Sequence, residues 1–410
     1  MDTKTKIIND PVFGFINIPG EFIYRIINHP CIQRLNRIRQ LGLAFYVYPG
    51  AVHTRFHHSL GAMHLMAEAI AQLRSKGHAI SDEEKNGAMA CILMHDTGHG
   101  PFSHALENSL VTGICHEDIS LMLMNRMNEE MGGKLSLAIE IFRDTYHKRF
   151  LHQLVSGQLD VDRLDYLRRD SFFTGVTEGN IGSARIIKML NVKNDKLVVE
   201  AKGIYSIENF LMARRLMYWQ VYLHKTSVAA ERMLINTLKR AKRLAAVHGV
   251  ESEVPCPLKY FLHNRVDKQR FETDPEAVQY FIDLDDNDIW CALKTWAKSG
   301  DKVLSLLCSG LINRNLFKIE VNSKPVSPDL AAEKIRYFAE KYHLPPEDAA
   351  YLIFSETIST NMYSEADDSI DILFKDGSTE DISCASDMLN IQLLSKKIKK
   401  YFFCFLRDSE

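Results

Sequence analysis

The sequence predicts a mainly α-helical protein with small β-hairpins and a C-terminal region of mixed helix and strand. Long segments repeat apolar residues at helical spacing, as in residues 58–76, where they fall mostly on one face. Ser81 and Glu84 form a capping box before an apolar run that ends at residues 95–96. Alternating apolar stretches are short and flank turn residues, which indicates hairpins rather than a large sheet.

The predicted elements follow in chain order. Helices are expected at 21–40 (interrupted at His29-Pro30), 58–76, 81–96, 102–110, 116–131, 135–154, 157–170, 204–245, 258–308 and 329–343. Hairpins are expected within 5–20, 189–200 and 370–382, with a loop at 41–57. A Gly- and Pro-containing segment near 245–255 divides a catalytic core, residues 1–250, from a C-terminal region, residues 251–410, whose basic stretch 396–400 is interpreted as a solvated helix end.

The composition is that of an ordinary globular protein, with 46% apolar and 25% charged residues. The net charge of −2 gives no general attraction to nucleic acid or membrane, although a local basic pocket for a small anion is compatible with it. The eight cysteines stand singly, so we expect reduced, buried thiols in a cytoplasmic protein. No signal-like segment follows the N-terminus, and no apolar run approaches the roughly 20 residues of a membrane span.

The segment from His95 to His104, HDTGHGPFSH, concentrates three histidines and one aspartate. His95 and Asp96 end an apolar helix, where burial of either is unfavourable unless it is paired or bound to a metal. The alternative is a chance dipeptide at a helix end, which leaves His99 and His104 unexplained. Imidazoles and carboxylates are ligands of divalent transition metals. We therefore predict a metal-dependent active site around this segment.

Two other segments offer the remaining ligands. Residues 55–58, RFHH, open the preceding helix, and residues 159–166, LDVDRLDY, form a helical segment dense in aspartate. The alternative for the second segment is a solvated acidic helix face. The residues alone leave open which histidine and which aspartate would bind the metal.

The HDTGHGPFSH segment resembles the HD-domain phosphohydrolases, and more closely their deoxynucleoside triphosphate (dNTP) triphosphohydrolases. Four other segments match in the same order: residues 40–42 (QLG), 45–61 (FYVYPGAVHTRFHHSLG), 160–170 (DVDRLDYLRRD) and 222–225 (YLHK). The resemblance covers residues 9 to 235 and is loose in the C-terminal region. It implies an HD-type helical core whose enzyme releases deoxynucleoside and inorganic triphosphate.

The resemblance implies a metal site with the ligands His58, His95, Asp96 and Asp162. His57 is the neighbouring candidate for the first ligand, and His58 is preferred because it directly precedes Ser-Leu-Gly, as the ligand does in the family. Mixed imidazole and carboxylate ligands suit one Mn²⁺, Fe²⁺, Zn²⁺ or Ni²⁺ ion per site, and Mg²⁺ less well.

The resemblance also implies residues for the triphosphate and for catalysis. The expected phosphate contacts are Arg55, Arg163 (where Lys is frequent in the family), Arg214 and Lys225. His104 is the expected general acid, oriented by Glu107 three residues later, with His99 and His116 stabilising charge on the phosphate. The alternatives are ordinary surface cations for Arg214 and Lys225, and an ordinary helix-terminal histidine for His116.

The sugar site implied by the resemblance favours deoxyribose. Gln40 and Leu41 match residues that meet the 3′-hydroxyl and crowd the 2′ position, and Tyr222 matches the aromatic that completes this crowding. Tyr166 and Asp170 match the remaining sugar contacts. Core packing is the alternative for Leu41 and Tyr222.

Some positions depart from the family pattern. Leu223 stands where the mammalian enzyme has a base-contacting Gln, so base preference is expected to be broad. Gln33 and Arg34 match a guanine-nucleotide activator site, whereas Asn28 and Asn36 do not, so we expect at most a different allosteric nucleotide.

Two other function classes remain open from the sequence. One is a different HD-type nucleotide phosphohydrolase, such as a phosphodiesterase or a 5′-nucleotidase, and the other is a non-catalytic nucleotide-sensing or nucleic-acid-binding oligomer. From the family we expect a homo-oligomer (dimer, tetramer or hexamer) to which the C-terminal region contributes. The net charge and the lack of a long apolar run predict no nucleic-acid or membrane partner.

Overall fold

The computed structural model describes residues 6–102, 104–107, 109–248, 254–360, 369–387 and 398–407, and it is mainly α-helical, as predicted. Up to residue 248 the helices are α1 Gly20–Ile27, α2 Pro30–Gln33, α3 Arg55–Ser75, α4 Asp82–Met94, α5 His104–Glu107, α6 His116–Glu130, α7 Ser136–Phe142, α8 Arg149–Gln153, α9 Val161–Thr174, α10 Ser183–Met189, α11 Ile204–Met217 and α12 Lys225–His248. Short 3₁₀ turns cover Arg34–Arg37, Ala44–Tyr46, Thr177–Gly179, Ala201–Gly203 and Ala350–Leu352.

The later helices are α13 Cys256–His263, α14 Lys268–Thr273, α15 Pro275–Asp283, α16 Asp286–Trp296, α17 Lys302–Ile312, α18 Pro328–Tyr342, α19 Pro346–Ala349 and α20 Ile382–Ala385. The strands are β1 Lys6–Asp10, β2 Gly14–Ile18, β3 Val111–Thr112, β4 Leu190–Lys193, β5 Lys196–Glu200, β6 Val266–Asp267, β7 Lys318–Asn322, β8 Ile353–Thr360, β9 Asp371–Leu373, β10 Thr379–Asp381 and β11 Ile398–Phe405. No helix among the described residues is both long enough and apolar enough to cross a bilayer.

Three helices form the scaffold of the core, because α3 packs against both α4 and α9. Helix α4 is buried from Gly87 to Met94, so it carries the residue that follows it into the interior. Its predicted capping box is confirmed: the Ser81 hydroxyl accepts from the Glu84 N–H at 3.1 Å, and Glu84 Oε2 accepts from the Ser81 N–H at 2.7 Å.

Helix α9 begins four residues later than predicted. The carboxylate of Asp160 accepts hydrogen bonds from the backbone N–H of Arg163 and of Gly157, both at 2.8 Å, and so caps the helix before Val161. Asp162 therefore lies in the first turn of α9. The helix ends at Gly175, whose φ of +75° is the left-handed conformation that glycine adopts without steric cost.

Other predicted boundaries were wrong. Helix α3 begins at Arg55 rather than at His58, and the single helix predicted over 135–154 is divided into α7 and α8. The helix predicted over 102–110 is reduced to α5, with Ser103 and Asn108 outside the described residues. The basic stretch at 396–400 is not a helix end where it is described, because β11 begins at Ile398.

The long helix predicted over 204–245 is interrupted. A π-helical turn, Tyr218–Tyr222, follows α11, and the helix restarts at Lys225 as α12. The widened turn leaves the carbonyl of Gln220 free to accept a 2.6 Å hydrogen bond from the hydroxyl of Tyr48. Neither Gly nor Pro occurs in this turn, so the sequence carries no ordinary signal for it.

The three predicted hairpins are present, and two of them share a sheet. Strands β9 and β5 pair in parallel, which gives the strand order β10-β9-β5-β4. A second, antiparallel sheet with the order β7-β11-β8 was not predicted. Helix α12 also packs against α17. Residues after 250 therefore contact the first part of the chain extensively, and their role as a separate oligomerisation or regulatory region stays a prediction.

All eight cysteines are free thiols. Four are buried and four are exposed; the exposed ones, for which the prediction of burial was wrong, are Cys115, Cys256, Cys291 and Cys384.

Candidate active site

Two histidines and one aspartate from three helices converge in the interior. His58 lies in the first turn of α3, His95 caps the C-terminus of α4, and Asp162 lies in the first turn of α9. Asp162 Oδ1 is 3.0 Å from His58 Nε2 and 3.5 Å from His95 Nε2. One nitrogen or oxygen from each residue falls within 4.8 Å of the others, so the three could hold a metal ion.

Asp96 borders this group. Its Oδ1 lies 3.3 Å from His95 Nε2, and its Oδ2 lies 3.8 Å from His58 Nε2. The same Oδ2 accepts a 2.5 Å hydrogen bond from the buried guanidinium of Arg55. Asp96 is therefore placed to join the three residues at a cation while Arg55 holds its second oxygen.

His57 points to a different part of the molecule. Its Nδ1 lies 2.8 Å from the Thr54 hydroxyl and accepts a 3.2 Å hydrogen bond from the Thr54 N–H. Its ring meets Phe173 edge-on at 6.5 Å. Of the two adjacent histidines, His58 is the one that faces His95.

The Nδ1 atoms of His58 and His95, which face away from the group, each have a hydrogen-bond partner. His95 Nδ1 donates to the Ile92 carbonyl at 2.6 Å, and His58 Nδ1 lies 2.7 Å from Asp165 Oδ2. Both Nε2 atoms are buried without a hydrogen bond of acceptable geometry. Buried polar atoms are rarely left in this state. The donor set of two imidazole nitrogens and nearby carboxylates fits a divalent transition metal.

The electrostatics of the group favour positive charge. Burial alone would lower the pKa of His58, but the adjacent carboxylates of Asp162 and Asp165 outweigh it and raise this pKa to about 10. Burial also opposes charge on His95, yet the carboxylate of Asp96 beside it raises its pKa. The pKa of Asp162 is lowered despite burial, because His58 and His95 lie next to its carboxylate. The site is thus built to stabilise a cation among carboxylates.

A second cluster adjoins the first. The rings of His99 and His116 stack with centroids 3.9 Å apart, and Glu107 Oε1 lies 3.3 Å from His116 Nδ1. His99 Nε2 is 3.4 Å from Asp96 Oδ1, which connects the two clusters. Burial and the nearby charge of Arg55 lower the pKa of His99 to about 3, so its ring is neutral at pH 7.

Gly98 brings the second cluster together. A Cβ at this position would overlap the carbonyl oxygen of His116 and the backbone nitrogen of Ser120. The Gly98 N–H donates to the Ser120 hydroxyl at 2.8 Å, and that hydroxyl donates to the His95 carbonyl at 2.6 Å. The start of α6 therefore lies directly against the loop after α4, which sets His116 beside His99.

His104, the predicted general acid, is the first residue of α5, and its side chain lies outside the described part of the structure. The contacts described for Glu107 place it beside His116. The predicted orientation of His104 by Glu107 therefore stays a prediction.

The predicted phosphate-binding cations differ in solvent exposure: Arg163 and Arg214 are half-buried, and Lys225 is exposed. Arg163 forms an ion pair with Asp160, the cap of α9, and Arg214 on α11 donates to Gln158 Oε1 at 3.1 Å. Burial lowers the pKa of Arg214, and the charge of Arg163 lowers it further, so the two cations face the same region. Lys225 is exposed at the start of α12.

Three of the predicted sugar residues, Tyr166, Asp170 and Tyr222, are connected through Tyr222. The rings of Tyr166 and Tyr222 meet edge-on with centroids 6.0 Å apart, and the Tyr222 hydroxyl donates to Asp170 at 2.9 Å. Leu41 packs against the core, half-buried. The buried Oε1 of Gln40 has no hydrogen-bond partner among the described residues, so it is available to a ligand hydroxyl.

Sequence reasoning missed several buried partners. His53 Nε2 lies 2.7 Å from Asp170 Oδ1, and its ring stacks on Phe173 at 4.4 Å. Asp165 and Arg169, on the same helix as Asp162, connect His58 to the N-terminal hairpin. Their spacing along α9 could have signalled an inward face, but which of the aspartates pair with cations depends on α3 and β1, which are distant in sequence.

Arg34, which was matched to an activator site, has a structural role here. The side chain is 1% exposed and donates to four backbone carbonyls, those of Thr97, His99, Ile282 and Leu284, at 2.9–3.2 Å. Burial lowers its pKa to about 10. A nucleotide would have to displace these bonds to contact the guanidinium, so the match of Arg34 to an activator site stays a prediction.

Asp286 holds the same loop from the C-terminal part of the chain. It accepts from the backbone N–H of Phe102 at 3.1 Å and of Arg39 at 3.0 Å. Phe102 has a φ of +52°, a conformation that costs a non-glycine residue about 1–2 kcal/mol. Arg34 and Asp286 thus fix the loop that carries His99.

Comparisons with known proteins identify the family of this chain. The family described as HD domain matches residues 55–170, and the family described as HD associated region matches residues 181–250. The YwfO protein of Bacillus subtilis is 31% identical over 328 residues, which cover 78% of this chain and 73% of that protein. A crystal structure of a phosphohydrolase from Bacteroides thetaiotaomicron is 62% identical with a TM-score of 0.96, covering 98% of this chain and all of that one.

The chain belongs to the HD-domain phosphohydrolases. It is also similar to the deoxynucleoside triphosphate triphosphohydrolase SAMHD1 of Homo sapiens, at 26% identity over 394 residues. That match covers 84% of this chain and 58% of the human protein.

Proposed function

We propose that this phosphohydrolase hydrolyses dNTPs to deoxynucleoside and inorganic triphosphate, using one divalent transition metal. The observation that carries the proposal is the convergence of His58, His95 and Asp162, the last of which directly precedes Arg163 on the helix that also carries Tyr166. Two imidazole nitrogens and two carboxylates suit Mn²⁺, Fe²⁺, Zn²⁺ or Ni²⁺ better than Mg²⁺. When bound, such an ion supplies Lewis-acid stabilisation of phosphate charge and lowers the pKa of water.

In the proposed reaction, water oxygen bonds to the α-phosphorus, and the bond from this phosphorus to the 5′-oxygen breaks. The leaving oxygen takes a proton from His104, the proposed general acid, and becomes the 5′-hydroxyl, while the attacking water releases a proton to solvent and His104 regains one. His99 is neutral at pH 7, so it would stabilise the phosphate by donating a hydrogen bond rather than as a cation. Arg163, Arg214 and Lys225 would balance the charge of the triphosphate.

The residues matched to the sugar site support a preference for deoxyribose. Tyr222 is anchored to Asp170 by its hydroxyl, so its ring cannot turn away without breaking that bond. Together with Leu41 it would crowd a 2′-hydroxyl, while the unpartnered Oε1 of Gln40 would accept from the 3′-hydroxyl. Leu223 offers no hydrogen-bonding group to a base, so we expect broad base preference.

The proposal is tested by incubating the protein and Mn²⁺ with each dNTP and each NTP and separating the products by ion-exchange chromatography. Deoxynucleoside and intact triphosphate are expected from dNTPs, with much slower turnover of NTPs. Stepwise release of phosphate would instead support a nucleotidase or another HD-type phosphohydrolase. Turnover should be lost in Asp96→Ala.

We further propose a homo-oligomer to which residues 251–410 contribute. The support is the family resemblance. Light scattering behind gel filtration tests it, with a dimer or larger assembly expected and a monomer at micromolar concentration contradicting it.

A further inference from the structure

Asp165 lies three residues after Asp162 on α9, yet it faces the opposite nitrogen of the same histidine. Its Oδ2 is 2.7 Å from His58 Nδ1, and neither side chain is exposed. An imidazole that donates from Nδ1 to a carboxylate presents its Nε2 lone pair on the other side. The contact therefore directs His58 Nε2 toward Asp162.

Arg169 holds Asp165 in place. Its Nε donates to Asp165 Oδ2 and its Nη2 to Asp165 Oδ1, both at 2.9 Å. Its remaining Nη1 donates to Asp10 Oδ2 at 2.7 Å. A bidentate guanidinium fixes both the distance and the plane of a carboxylate. Arg169 thus fixes the orientation of the Asp165 carboxylate, and the carboxylate in turn contacts His58.

Asp10 binds the remaining nitrogen of the Arg169 guanidinium. Its Oδ1 accepts from the backbone N–H of Val12 and of Phe13, both at 2.9 Å, at the turn between β1 and β2. The side chains of Asp10, Arg169 and Asp165 are at most 3% exposed. A continuous buried chain, His58–Asp165–Arg169–Asp10, therefore connects the candidate metal group to the N-terminal hairpin.

Gly61 makes the close approach possible. It lies three residues after His58 on α3, and a Cβ there would overlap Asp165 Oδ1 and Arg169 Nη2 and come within 2.9 Å of Asp165 Cγ. Any side chain at this position would displace the carboxylate from His58. The sequence therefore keeps space on α3 at the point where Asp165 and Arg169 meet it.

Another buried arginine shows what a purely structural arrangement looks like here. Arg240 on α12 pairs with Asp301 and Asp348, and it contacts none of the candidate ligands. Both arrangements join separate elements through one arginine and two carboxylates. Only in the Asp165 arrangement does a carboxylate also contact the ring of a candidate ligand.

We propose that Asp165 is a positioning residue for His58, held in place by Arg169 and Asp10. The proposal rests on the proposed metal site. In it, Asp165 fixes the orientation of the His58 ring and makes His58 Nε2 a more basic metal ligand. Loss of such a carboxylate partner weakens metal affinity by about 10- to 100-fold in comparable sites. The N-terminal hairpin would then contribute to metal affinity without touching the metal.

The test is calorimetric titration of the metal-free protein with Mn²⁺ alone, with the thermal midpoint measured in parallel. Asp165→Asn should weaken Mn²⁺ binding by about 10- to 100-fold, and Asp10→Asn by a smaller factor. Asp348→Asn, which removes a carboxylate from the Arg240 arrangement, should lower the thermal midpoint and leave Mn²⁺ affinity unchanged. Equal Mn²⁺ affinity in Asp165→Asn and the unmodified protein would overturn the proposal.

A second measurement does not depend on the variants folding. Nitrogen-15 spectra of histidine in the Zn²⁺-loaded protein should show the proton of His58 on Nδ1, and a proton on Nε2 would contradict the proposed orientation. The titration contains no nucleotide, so the two proposals fail separately. Weak Mn²⁺ binding in Asp165→Asn without dNTP turnover in the unmodified protein would refute only the proposed function.

Discussion

The hydroxyl of Tyr222 donates a 2.9 Å hydrogen bond to Asp170, which joins the π-helical break after α11 to helix α9. The other oxygen of Asp170 lies 2.7 Å from His53 Nε2. Asp170 therefore binds both Tyr222 and His53, and its carboxylate oxygens keep lone pairs that could accept a hydrogen bond from a sugar hydroxyl. The break in the helix places Tyr222 at this carboxylate.

Replacing Tyr222 by alanine should relax the proposed selectivity for deoxyribose, because it removes the ring that crowds the 2′ position. We expect the kcat/KM ratio for GTP over dGTP to rise about tenfold or more. Tyr222→Phe keeps the ring but loses the hydrogen bond that holds it, so its ratio should rise by less than that of Tyr222→Ala. Steady-state kinetics on both substrates decide the matter. A ratio that is the same in Tyr222→Ala and the unmodified protein would remove Tyr222 from the sugar site.

Gly98→Ala should destabilise the protein and separate the stacked rings of His99 and His116. The added methyl would overlap the backbone at His116 and Ser120, which cannot yield as a flexible side chain would. Overpacking of this kind costs about 1–3 kcal/mol. The control is Gly300→Ala, where a Cβ meets nothing within 4 Å. Urea denaturation should separate the two variants, and similar stability in both would show that the loop after α4 adapts.

Arg34→Met should lower the free energy of unfolding by at least about 3 kcal/mol, because it leaves four buried carbonyls without their donor. Arg25→Met, at an exposed position on α1, should stay within about 0.5 kcal/mol. Chemical denaturation measures both. A variant at Arg34 with full stability and a selectively lost response to an added guanine nucleotide would support the activator interpretation.

Glu84 makes a pH-dependent contribution to stability. Burial alone would raise its pKa, but hydrogen bonds from Lys148, from the Ser81 N–H and from Tyr146 outweigh it and lower the pKa. The contribution is therefore present above the unfolded value of about 4.3 and is lost as the pH falls through the lower folded value.

We expect Glu84→Gln to be about 2 kcal/mol less stable than the unmodified protein at pH 7. The difference should shrink below about pH 4, whereas Glu83→Gln, at an exposed neighbouring position, should show little difference throughout. Denaturation between pH 3 and 7 measures this, and a gap independent of pH would contradict the assignment.

Within the candidate metal group, His95 and Asp96 were accessible from the sequence because their signal is local, whereas His58 and Asp162 were implied only by the family resemblance. His95 and Asp96 follow an apolar run, and a charged pair in that position is costly without a partner. The capping box at Ser81 placed the start of the same helix. The residues behind His58 were not accessible, since Asp165 is recognised as its partner only once α3 and α9 are packed together.

Long-range contacts account for the other misses. The partners of Arg34 at Ile282 and Leu284 lie 248 and 250 residues away, so no local pattern reveals them. The sheet of β7, β11 and β8 was missed because the lysines before Tyr401 suggested a solvated helix end. In the sheet, Phe402 and Phe403 are buried while Lys399 is exposed, so the lysines lie at the solvent-exposed start of strand β11.

The central claim is cleavage of a dNTP at the α-phosphorus in the site formed by His58, His95 and Asp162. Phosphorus-31 spectra of dGTP turnover with Mn²⁺, recorded after the metal is chelated, test it most directly. The account predicts that the nucleotide signals are replaced by those of free inorganic triphosphate alone, and that Asp162→Asn produces none. Orthophosphate or pyrophosphate as the first product, or equal turnover in Asp162→Asn, would contradict it.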